Sequence, residues 1–363
     1  MKILFCIPEV GNAPYACANR YNTLLEKFEA DHVYVCSSLG KPLPSARVRD
    51  SFTLNLNCRQ GRLSSRFLKE ILYASYCILI LIYVRPQKTV VSSPNYFSML
   101  CIALVCAFLR RTYILDIRDL YPDVLHITNK LNRTNYLYRC LEYLTKRIYA
   151  NAQLIICATN GIVRSVQNYG ITSRKIQKVT NGYPSVNGRL TDLSDVTRDV
   201  IFVGTLGFMQ NRNFLEAIVK NSPDVSYTFV TDQMSVDYFL TKNFDNLIVH
   251  SRMPISQVNG LLREHKVGVS IRTGNDYDKI SLPVKIFEYL GAGLRVVGFP
   301  KTEFSDLVHD TSLLNETNSN DVAAFCQNIN DFVKLPRPKI NGLFELSRAS
   351  QDAIFFSAIA RND

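Results

Sequence analysis

Short apolar runs recur along the chain, and segments with helical spacing separate them. The first series lies at residues 3–7, 33–36, 89–91, 113–115 and 154–157. The second series lies at residues 200–203, 227–230, 247–249, 267–271 and 295–297. Strands that are apolar throughout and alternate with helices are typical of a parallel sheet covered by helices on both faces. The pattern therefore predicts an α/β protein with two Rossmann-like, doubly wound domains in tandem.

A polar stretch separates the two series and marks the domain boundary. Turn-forming residues at 181–184 lead into residues 185–199, which are mostly polar. We predict one domain over residues 1–185 and a second over 186–342, as expected for a chain too long for a single core. Helical spacing in the last segment, 343–363, predicts a helix that crosses back to the first domain. Two such domains are expected to face each other across a cleft, where ligands of doubly wound folds bind.

The most informative motif is SLPVKIFEYLGAGLRVV, residues 281–297. Pro283 suits the first turn of a helix, and two glycines end that helix before the next strand. Free N–H groups at a helix start favour an anion, so we predict a diphosphate against residues 282–285, with Lys285 as a cation. Glu288 follows on the same helix, where a carboxylate can accept both hydroxyls of a ribose.

A second motif, DIRDLYPD at residues 116–123, directly follows the predicted strand 113–115. Side chains just past a parallel strand face the ligand-binding edge, and charges there are costly unless they are used or paired. Asp119 is our candidate for a charge that takes part in the chemistry. An ion pair of Arg118 with Asp116 or Asp119 that only shapes the loop is the alternative.

A third motif is the glycine-bearing loop FVGTLGFMQNRN, residues 202–213, which opens the second domain. Glycine lets the backbone approach a phosphate closely, as Gly204 would here, and a nearby cation offsets the phosphate charge. Arg212 is the nearest cation and Lys285 the second candidate. A loop of this kind alone is weak evidence, but its place after a strand that opens a Rossmann half strengthens it.

Charge is distributed unevenly along the chain. Residues 1–190 carry 25 Lys and Arg against 10 Asp and Glu, net +15, and the remaining 17 against 21 give net −4. A basic half attracts nucleic acid, anionic lipid or phosphorylated substrates. Because no nucleic-acid motif or aromatic stacking platform accompanies the charge, we expect an anionic membrane surface and no nucleic acid as partner. A solvated basic face without a partner is the alternative.

Two apolar segments of fourteen residues, 71–84 and 96–109, end in arginines. They are too short to span a bilayer comfortably, so we interpret them as buried core helices. An interfacial helix with a basic end that dips into the lipid headgroups is the alternative. Ten cysteines without a C-x-x-C pair or a nearby pair of histidines are typical of a reduced core. The N-terminus lacks the layout of a signal peptide, so we expect a cytoplasmic protein, peripheral at the inner face of the cell membrane.

The segment 281–297 resembles the donor-site signature of retaining glycosyltransferases of family 4, which have the GT-B fold. Its P-x-K-x-x-E-Y form, and the motif at 116–122, resemble the group that acts on cell-surface polysaccharide and lipopolysaccharide. The resemblance implies that Glu288 binds the donor ribose and that the loop at 116–122 lies beside the acceptor, where Asp119 is our candidate to orient or deprotonate the acceptor hydroxyl. It also implies that Gly11 borders the leaving phosphate, although an ordinary turn is the alternative for Gly11. In the family's E-x7-E pattern, Glu288 matches the second Glu, and the position of the first Glu, which binds a donor-sugar hydroxyl, is Ile280 here.

The departures from the family pattern leave two points open. Asp276 or Asp278 is our candidate to replace the sugar contact of the missing Glu. Arg295 stands where the family usually has proline, which nothing in the sequence explains.

The resemblance implies transfer of a sugar from a nucleotide-sugar to a membrane-associated glycan or lipid-linked acceptor, with retention of the configuration at the sugar C1. UDP is the favoured nucleotide and GDP is possible. We expect Arg212 and Lys285 to stabilise the leaving diphosphate, with no metal and no cofactor beyond the donor. The alternatives are a nucleotide-sugar epimerase of the same fold and a non-catalytic GT-B subunit, which Ile280 and Arg295 would suit.

Overall fold

The computed structural model describes residues 1–11, 16–28, 32–41, 48–56, 63–93, 95–183, 197–207, 210–338 and 343–360. The chain divides into two compact units. The first comprises Met1–Thr180 and Asp352–Asp363, and the second comprises Asn181–Gln351. The predicted boundary at residue 185 lies outside the described residues.

The first unit is built on a parallel sheet that has seven strands in its described part. The strands are β1 (Lys2–Cys6), β2 (His32–Ser37), β3 (Val48–Thr53), β4 (Lys88–Ser92), β5 (Thr112–Ile117), β6 (Leu154–Cys157) and β7 (Ile176–Lys178). Their order across the sheet is β3-β2-β1-β4-β5-β6-β7. The helices are α1 (Ala16–Lys27), α2 (Leu63–Val84), α3 (Tyr96–Phe108), α4 (Asp123–Ile127), α5 (Tyr136–Asn151) and α6 (Asn160–Asn168).

The second unit repeats this architecture with a six-stranded parallel sheet over its described residues. The strands are β8 (Arg198–Val203), β9 (Tyr227–Thr231), β10 (Leu247–Ser251), β11 (His265–Ile271), β12 (Arg295–Phe299) and β13 (Leu314–Glu316), in the order β10-β9-β8-β11-β12-β13. The helices are α7 (Arg212–Asn221), α8 (Gln233–Leu240), α9 (Ile255–Glu264), α10 (Asp276–Lys279), α11 (Val284–Gly291), α12 (Phe304–Leu307) and α13 (Val322–Lys334). A last helix, α14 (Arg348–Ala360), follows.

The predicted fold class is confirmed, because each unit is a doubly wound parallel sheet and all ten predicted strands are present. Three strands were missed: β3, β7 and β13. Each lies at an edge of its sheet, and two of them contain three residues. An edge strand needs fewer apolar side chains than a central one, so an apolar pattern does not reveal it.

Helix α2 corrects the prediction for the segment 71–84, because it begins at Leu63 and contains 22 residues. The pattern failed at Glu70, a buried charge whose carboxylate accepts from the Phe97 backbone N–H at 2.9 Å. Within the described residues, Phe67–Val84 is the one stretch that is long and apolar enough to cross a membrane by length and composition, and about a third of it is buried in the protein.

Helix α14 contributes to the core of the first unit through its second half. Phe355 and Ile359 are buried in the same cluster as Phe5 and Phe28. Lys88, at the start of β4, donates from its ammonium to the Ile359 carbonyl at 3.0 Å. The first sheet therefore depends on residues from the far end of the chain.

Truncation of Phe355 tests this dependence. Phe355→Ala is expected to lower the free energy of unfolding by about 3–5 kcal/mol, because it leaves a cavity in the core of the first unit. Ala353 is exposed on the same helix, so Ala353→Ser should change stability by less than about 1 kcal/mol and serves as control. Urea unfolding followed by circular dichroism measures both, and equal midpoints would contradict the role assigned to α14.

Candidate functional site

Helix α11 is held against the second sheet by Tyr289. Gly268 in β11 provides the space, since a Cβ there would lie 2.3 Å from the Tyr289 ring. The Tyr289 hydroxyl accepts from the Val203 backbone N–H at 2.9 Å. These contacts fix α11, which carries Lys285 and Glu288, against the end of β8.

The Lys285 ammonium lies beside the first residue after β8. Gly204 has φ +147°, and a Cβ on it would lie 3.0 Å from Lys285 Nζ. Lys285 Nζ is 4.2 Å from the centroid of the Phe202 ring and donates to Gln210 Oε1 at 3.4 Å. The structure thus brings together Gly204 and Lys285, which the sequence had assigned to one phosphate site.

Lys285 is partly buried, and its environment disfavours its charge. Burial lowers the pKa of Lys285 to about 7; positive Arg272 contributes to the lowering and Glu288 opposes it. Burial also raises the pKa of Glu288, against the opposing charges of Arg348 and Lys285. Because the Lys285 charge is poorly solvated, a bound anion would stabilise it.

The start of α11 differs slightly from the prediction. Pro283 precedes the helix as its N-cap residue, with φ −59° and ψ 121°, instead of lying in the first turn. Leu282 before it is buried in the core of the second unit. The first helical residues, Val284 and Lys285, therefore lie next to the end of β8, where the diphosphate was predicted.

An open pocket of about 490 Å³ lies at the carboxyl end of the second sheet. Its lining residues are Leu206, Gly207, Gln210, Asn211, Arg212, Asn213 and Thr273. They come from the loop after β8, the start of α7 and the residues after β11. Gln210 belongs to the lining and also contacts Lys285, so the lysine adjoins this pocket.

Arg212 lines the pocket and also contacts a neighbouring helix. Its guanidinium lies 3.9 Å from the centroid of the Tyr238 ring. The Tyr238 hydroxyl donates to Glu216, and Lys242 pairs with Glu216 at 2.9 Å. Arg212, positioned by Tyr238, therefore lines the pocket that Lys285, the other predicted cation, adjoins through Gln210.

Asp278 is completely buried and contacts its own turn. Its Oδ1 pairs with Arg272 Nε at 2.7 Å, and its Oδ2 accepts from the N–H groups of Gly274 and Asn275 at 2.9 and 3.2 Å. Asp276, by contrast, is exposed and pairs with Lys279. Of the two carboxylates proposed to replace the missing Glu, Asp276 is thus the accessible one.

We expected no Asp-x-Asp metal motif at this site, but residues 276–278 read Asp-Tyr-Asp. Because Asp278 is paired with Arg272, the two carboxylates are not arranged as a pair of metal ligands. Over the described part of the chain, no group of three or more His, Cys, Asp or Glu residues is placed to hold a metal ion.

The Arg272–Asp278 pair shapes the turn after β11, and its removal has a predictable cost. Asp278→Ala is expected to lower the free energy of unfolding by about 3 kcal/mol or more, because it leaves Arg272 buried without its partner. Asp276→Ala, on the same short helix, should change it by less than about 0.5 kcal/mol. Denaturation of the two variants side by side decides the point, and similar losses would refute a structural role specific to Asp278.

In the first unit, Asp116 is fully buried at the end of β5. It accepts from the Tyr21 hydroxyl at 2.6 Å and lies 3.8 Å from Arg118 Nη1 and 3.6 Å from Arg20 Nη2. Arg20 also donates to the Thr180 carbonyl at 2.8 Å. The Asp116–Arg118 ion pair, raised as an alternative interpretation of the motif, is present.

Asp119 lies in the loop that follows, partly buried. The backbone N–H groups of Arg118 and Asp119 donate to Ser93 Oγ at 2.7 and 3.3 Å. The loop after β5 is therefore held to the loop after β4, and Asp119 lies at the carboxyl edge of the first sheet. This is the edge at which the sequence had placed the acceptor.

Gly11 has a structural reason to be glycine. It has φ +66°, and a Cβ would lie 1.9 Å from the Lys41 carbonyl oxygen. Its N–H and carbonyl both bond the Asn22 side chain at 2.8 Å, so its amide is used within the protein. The remainder of the loop predicted to border a phosphate, residues 12–15, lies outside the described residues.

Several residues of the pocket were not identified from the sequence. Arg272 and Thr273 follow β11 directly, and the rule that singled out residues 116–123 would have found them. Asp232, whose Oδ2 accepts from the Leu206 N–H at 3.1 Å, orders the loop after β8. Gln210 carried no signal, because one polar residue in a loop has no distinguishing pattern.

No family model matches the sequence, and no curated protein matches it either. Among solved structures, the lipopolysaccharide outer core galactosyltransferase WaaB matches with a TM-score of 0.64 and 13% identity over all of both chains. The chain has the GT-B fold.

Other solved structures share this GT-B architecture. HepE from Anabaena, in complex with UDP and glucose, matches all of this chain and 97% of its own, with a TM-score of 0.61 and 14% identity. A UDP-N-acetylglucosamine 2-epimerase from Rickettsia bellii matches all of this chain and 96% of its own, with a TM-score of 0.63 and 9% identity. At these identities the likeness shows the fold and leaves the reaction open.

Proposed function

We propose that the protein is a retaining glycosyltransferase of family 4 type that transfers a sugar from a nucleotide-sugar to a membrane-associated acceptor. The observation that carries the proposal is the Lys285 ammonium, partly buried beside Gly204 and adjoining a pocket lined by Arg212. Such a poorly solvated cation at the carboxyl end of a Rossmann-type sheet suits a diphosphate. HepE, of the same fold, has been solved with UDP-glucose, which favours UDP over GDP.

Each part of the pocket has a role in holding the donor. The diphosphate contacts Lys285, the N–H groups at the start of α11 after Pro283, and Arg212. Gly204 permits close approach, because any side chain there would meet Lys285 Nζ. Glu288, one turn after Lys285 on the same helix, accepts the two ribose hydroxyls.

The transfer follows from charge stabilisation of the leaving group. The bond between the sugar C1 and the diphosphate oxygen breaks while the acceptor oxygen bonds to C1 on the same face. Negative charge develops on the diphosphate, and Lys285 and Arg212 offset it without reorganisation. Asp119 orients or deprotonates the acceptor hydroxyl. In this proposal the fixed cations perform the role of a metal ion, and no further cofactor is needed.

We further propose that the acceptor is a lipid-linked sugar or surface polysaccharide precursor, and that the enzyme meets it as a peripheral protein on the cytoplasmic face. The net +15 of residues 1–190 supports contact with anionic lipid and with phosphorylated acceptors. WaaB, of the same fold, is named for lipopolysaccharide synthesis.

Calorimetric titration of UDP, and separately GDP, into wild type and Glu288→Ala tests the donor site. One nucleotide should bind, and the substitution should weaken it by roughly tenfold, because the ribose hydroxyls lose a charged acceptor. Asp237→Ala, which removes an exposed carboxylate from α8, serves as the matched control and should leave the affinity unchanged. Equal nucleotide affinity in wild type and Glu288→Ala would reject the assigned site, and binding of neither nucleotide would favour the non-catalytic subunit.

The epimerase is the second candidate, because an epimerase of the same fold matches the whole chain with a TM-score of 0.63. It would convert the nucleotide-sugar without any acceptor. Incubation of the enzyme with UDP-N-acetylglucosamine alone distinguishes the two: a new nucleotide-sugar identifies the epimerase, and nucleotide release that needs added membranes identifies the transferase.

A further inference from the structure

Helix α2 is apolar on two opposite faces. Its inner face is buried against the first sheet and α3 through Tyr73, Ala74, Cys77, Leu81 and Val84. The Tyr73 hydroxyl donates to the carbonyl of Cys36 in β2 at 2.9 Å. These contacts fix α2 within the domain, so it cannot leave the protein to cross a bilayer without breaking the core.

The outer face of α2 is also apolar, although it is exposed. Its exposed fractions are Leu68 57%, Leu72 45%, Leu79 64%, Ile82 52% and Tyr83 78%. Intervals of four, seven, three and one residue keep these side chains within about 100° around the helix axis, on the side opposite the inner face. Ser75 is the one polar residue on that stripe. We call these six residues the outer stripe. A continuous exposed apolar stripe of this length marks an interaction surface.

The segment that carries the outer stripe is basic. Residues 51–115 contain eight Lys and Arg and a single acidic residue, Glu70. Lys88 is buried, whereas Arg85, Arg110 and Arg111 are exposed. Glu70 is buried and accepts from the Phe97 N–H, so it presents no negative charge at the surface. An apolar stripe within a segment of positive charge is complementary to a surface that is apolar inside and anionic outside.

The end of α3 extends this surface. The Phe67 and Phe97 rings lie 5.0 Å apart, so α2 and α3 begin side by side, and as helices of successive strand–helix units they run in the same direction. Phe108 at the end of α3 is 86% exposed, and the exposed residues Arg110 and Arg111 follow it. Arg110 and Arg111, which follow α3, thus lie near the C-terminal end of the outer stripe of α2.

We propose that the outer stripe of α2, with Phe108, Arg110 and Arg111, docks the enzyme on an anionic lipid surface, the stripe lying in the plane of the interface. The inference deepens the proposed function, since it assigns the surface by which the transferase would meet a membrane-associated acceptor. A second copy of the chain is a poorer occupant, because a symmetric dimer through this stripe would bring two basic segments together.

Vesicle co-sedimentation without nucleotide tests the inference. Wild type should bind vesicles of phosphatidylcholine mixed with phosphatidylglycerol, bind pure phosphatidylcholine weakly, and bind less as salt is raised. Leu79→Glu/Tyr83→Glu should weaken binding by about tenfold or more. Met234→Glu/Leu240→Glu makes the same charge change at apolar residues of α8 that are 76% and 59% exposed. This control shows how much the two added charges alone weaken vesicle binding, and the stripe variant should bind more weakly than the control.

The basic end of the surface needs a separate variant. Arg110→Gln/Arg111→Gln should weaken binding to the anionic vesicles by about fivefold for each arginine and leave binding to phosphatidylcholine unchanged. Calorimetry with UDP shows whether a variant that loses vesicle binding still has an intact donor site. The nucleotide affinity should be the same in all three variants and in wild type.

Three results would overturn the proposal. They are failure of the wild type to bind anionic vesicles, equal binding by the stripe variant and its α8 control, and a dimer in analytical ultracentrifugation that the stripe variant dissolves. The last outcome would reassign the stripe to an interface between copies. Loss of vesicle binding with UDP binding intact supports the docking surface whether or not transfer is observed.

Discussion

Replacing Lys285 with alanine is expected to weaken nucleoside diphosphate binding by about a hundredfold. Hydrogen bonds between a charged donor and a phosphate contribute roughly 1.5–3 kcal/mol each, and removing one of them from a poorly solvated site reaches that factor. Lys285→Arg should not restore affinity, because the larger guanidinium would have to fit the space beside Gly204 and the Phe202 ring that the ammonium occupies. Lys279→Ala, which removes an exposed lysine of α10, is the matched control for calorimetry.

The same lysine sets a pH dependence with a defined sign. With the Lys285 pKa lowered to about 7, the side chain is charged below that pH and neutral above it. An anion binds the charged form, so nucleotide affinity should fall as pH rises through about 7, and binding at pH 8 should take up a proton. Titrations in two buffers of different ionisation enthalpy measure that proton. A pH profile that is the same in Lys285→Ala would contradict the assignment.

The stability of the free protein should change in the opposite direction. In the unfolded chain the lysine keeps its ordinary pKa of 10.5, so between about 7 and 10.5 the unfolded state binds the extra proton. The contribution of Lys285 to the free energy of unfolding therefore increases with pH over that window and is lowest below it. Saturating nucleotide should reduce this slope.

Gly268→Ala is expected to lower the free energy of unfolding by about 3 kcal/mol and to abolish nucleotide binding. The added methyl would lie 2.3 Å from the Tyr289 ring, so the ring and α11 must move, and α11 carries both Lys285 and Glu288. Denaturation and calorimetry on the same variant measure the two effects.

Gly260→Ala provides a control of opposite sign. Gly260 lies in α9, and a Cβ there would have no neighbouring atom within 4 Å outside the backbone of its own helix. Alanine at this position should therefore stabilise the protein by up to about 1 kcal/mol. Equal stability of the two variants would show that Tyr289 does not need Gly268.

The central strands and the donor helix were predictable because burial and function leave strong patterns. A strand covered on both faces must be apolar throughout, so all the central strands were identified, whereas three of the four edge strands, β3, β7 and β13, were not. The start of α2 was missed because Glu70 is a buried charge, satisfied by the Phe97 N–H, which no local pattern reveals.

The site could be predicted only in part, for a related reason. Lys285 and Glu288 share one helix, and helical spacing together with the Pro283 start was enough to nominate them. The contact of Lys285 with Gly204 joins residues on two different strand–helix units, and it depends on how α11 crosses the end of β8. The ion pair of Asp278 with Arg272 likewise depends on the conformation of the turn after β11, which the sequence pattern does not specify.

The return of helix α14 to the first sheet has a consequence for synthesis on the ribosome. Residues 1–180 emerge before the second unit, and the Phe355 and Ile359 side chains that complete their core emerge after it. The second unit is whole before the first, which reverses the usual order in which domains fold as they are made. Until α14 emerges, the nascent first unit carries an open apolar site beside Phe28, which α14 then closes.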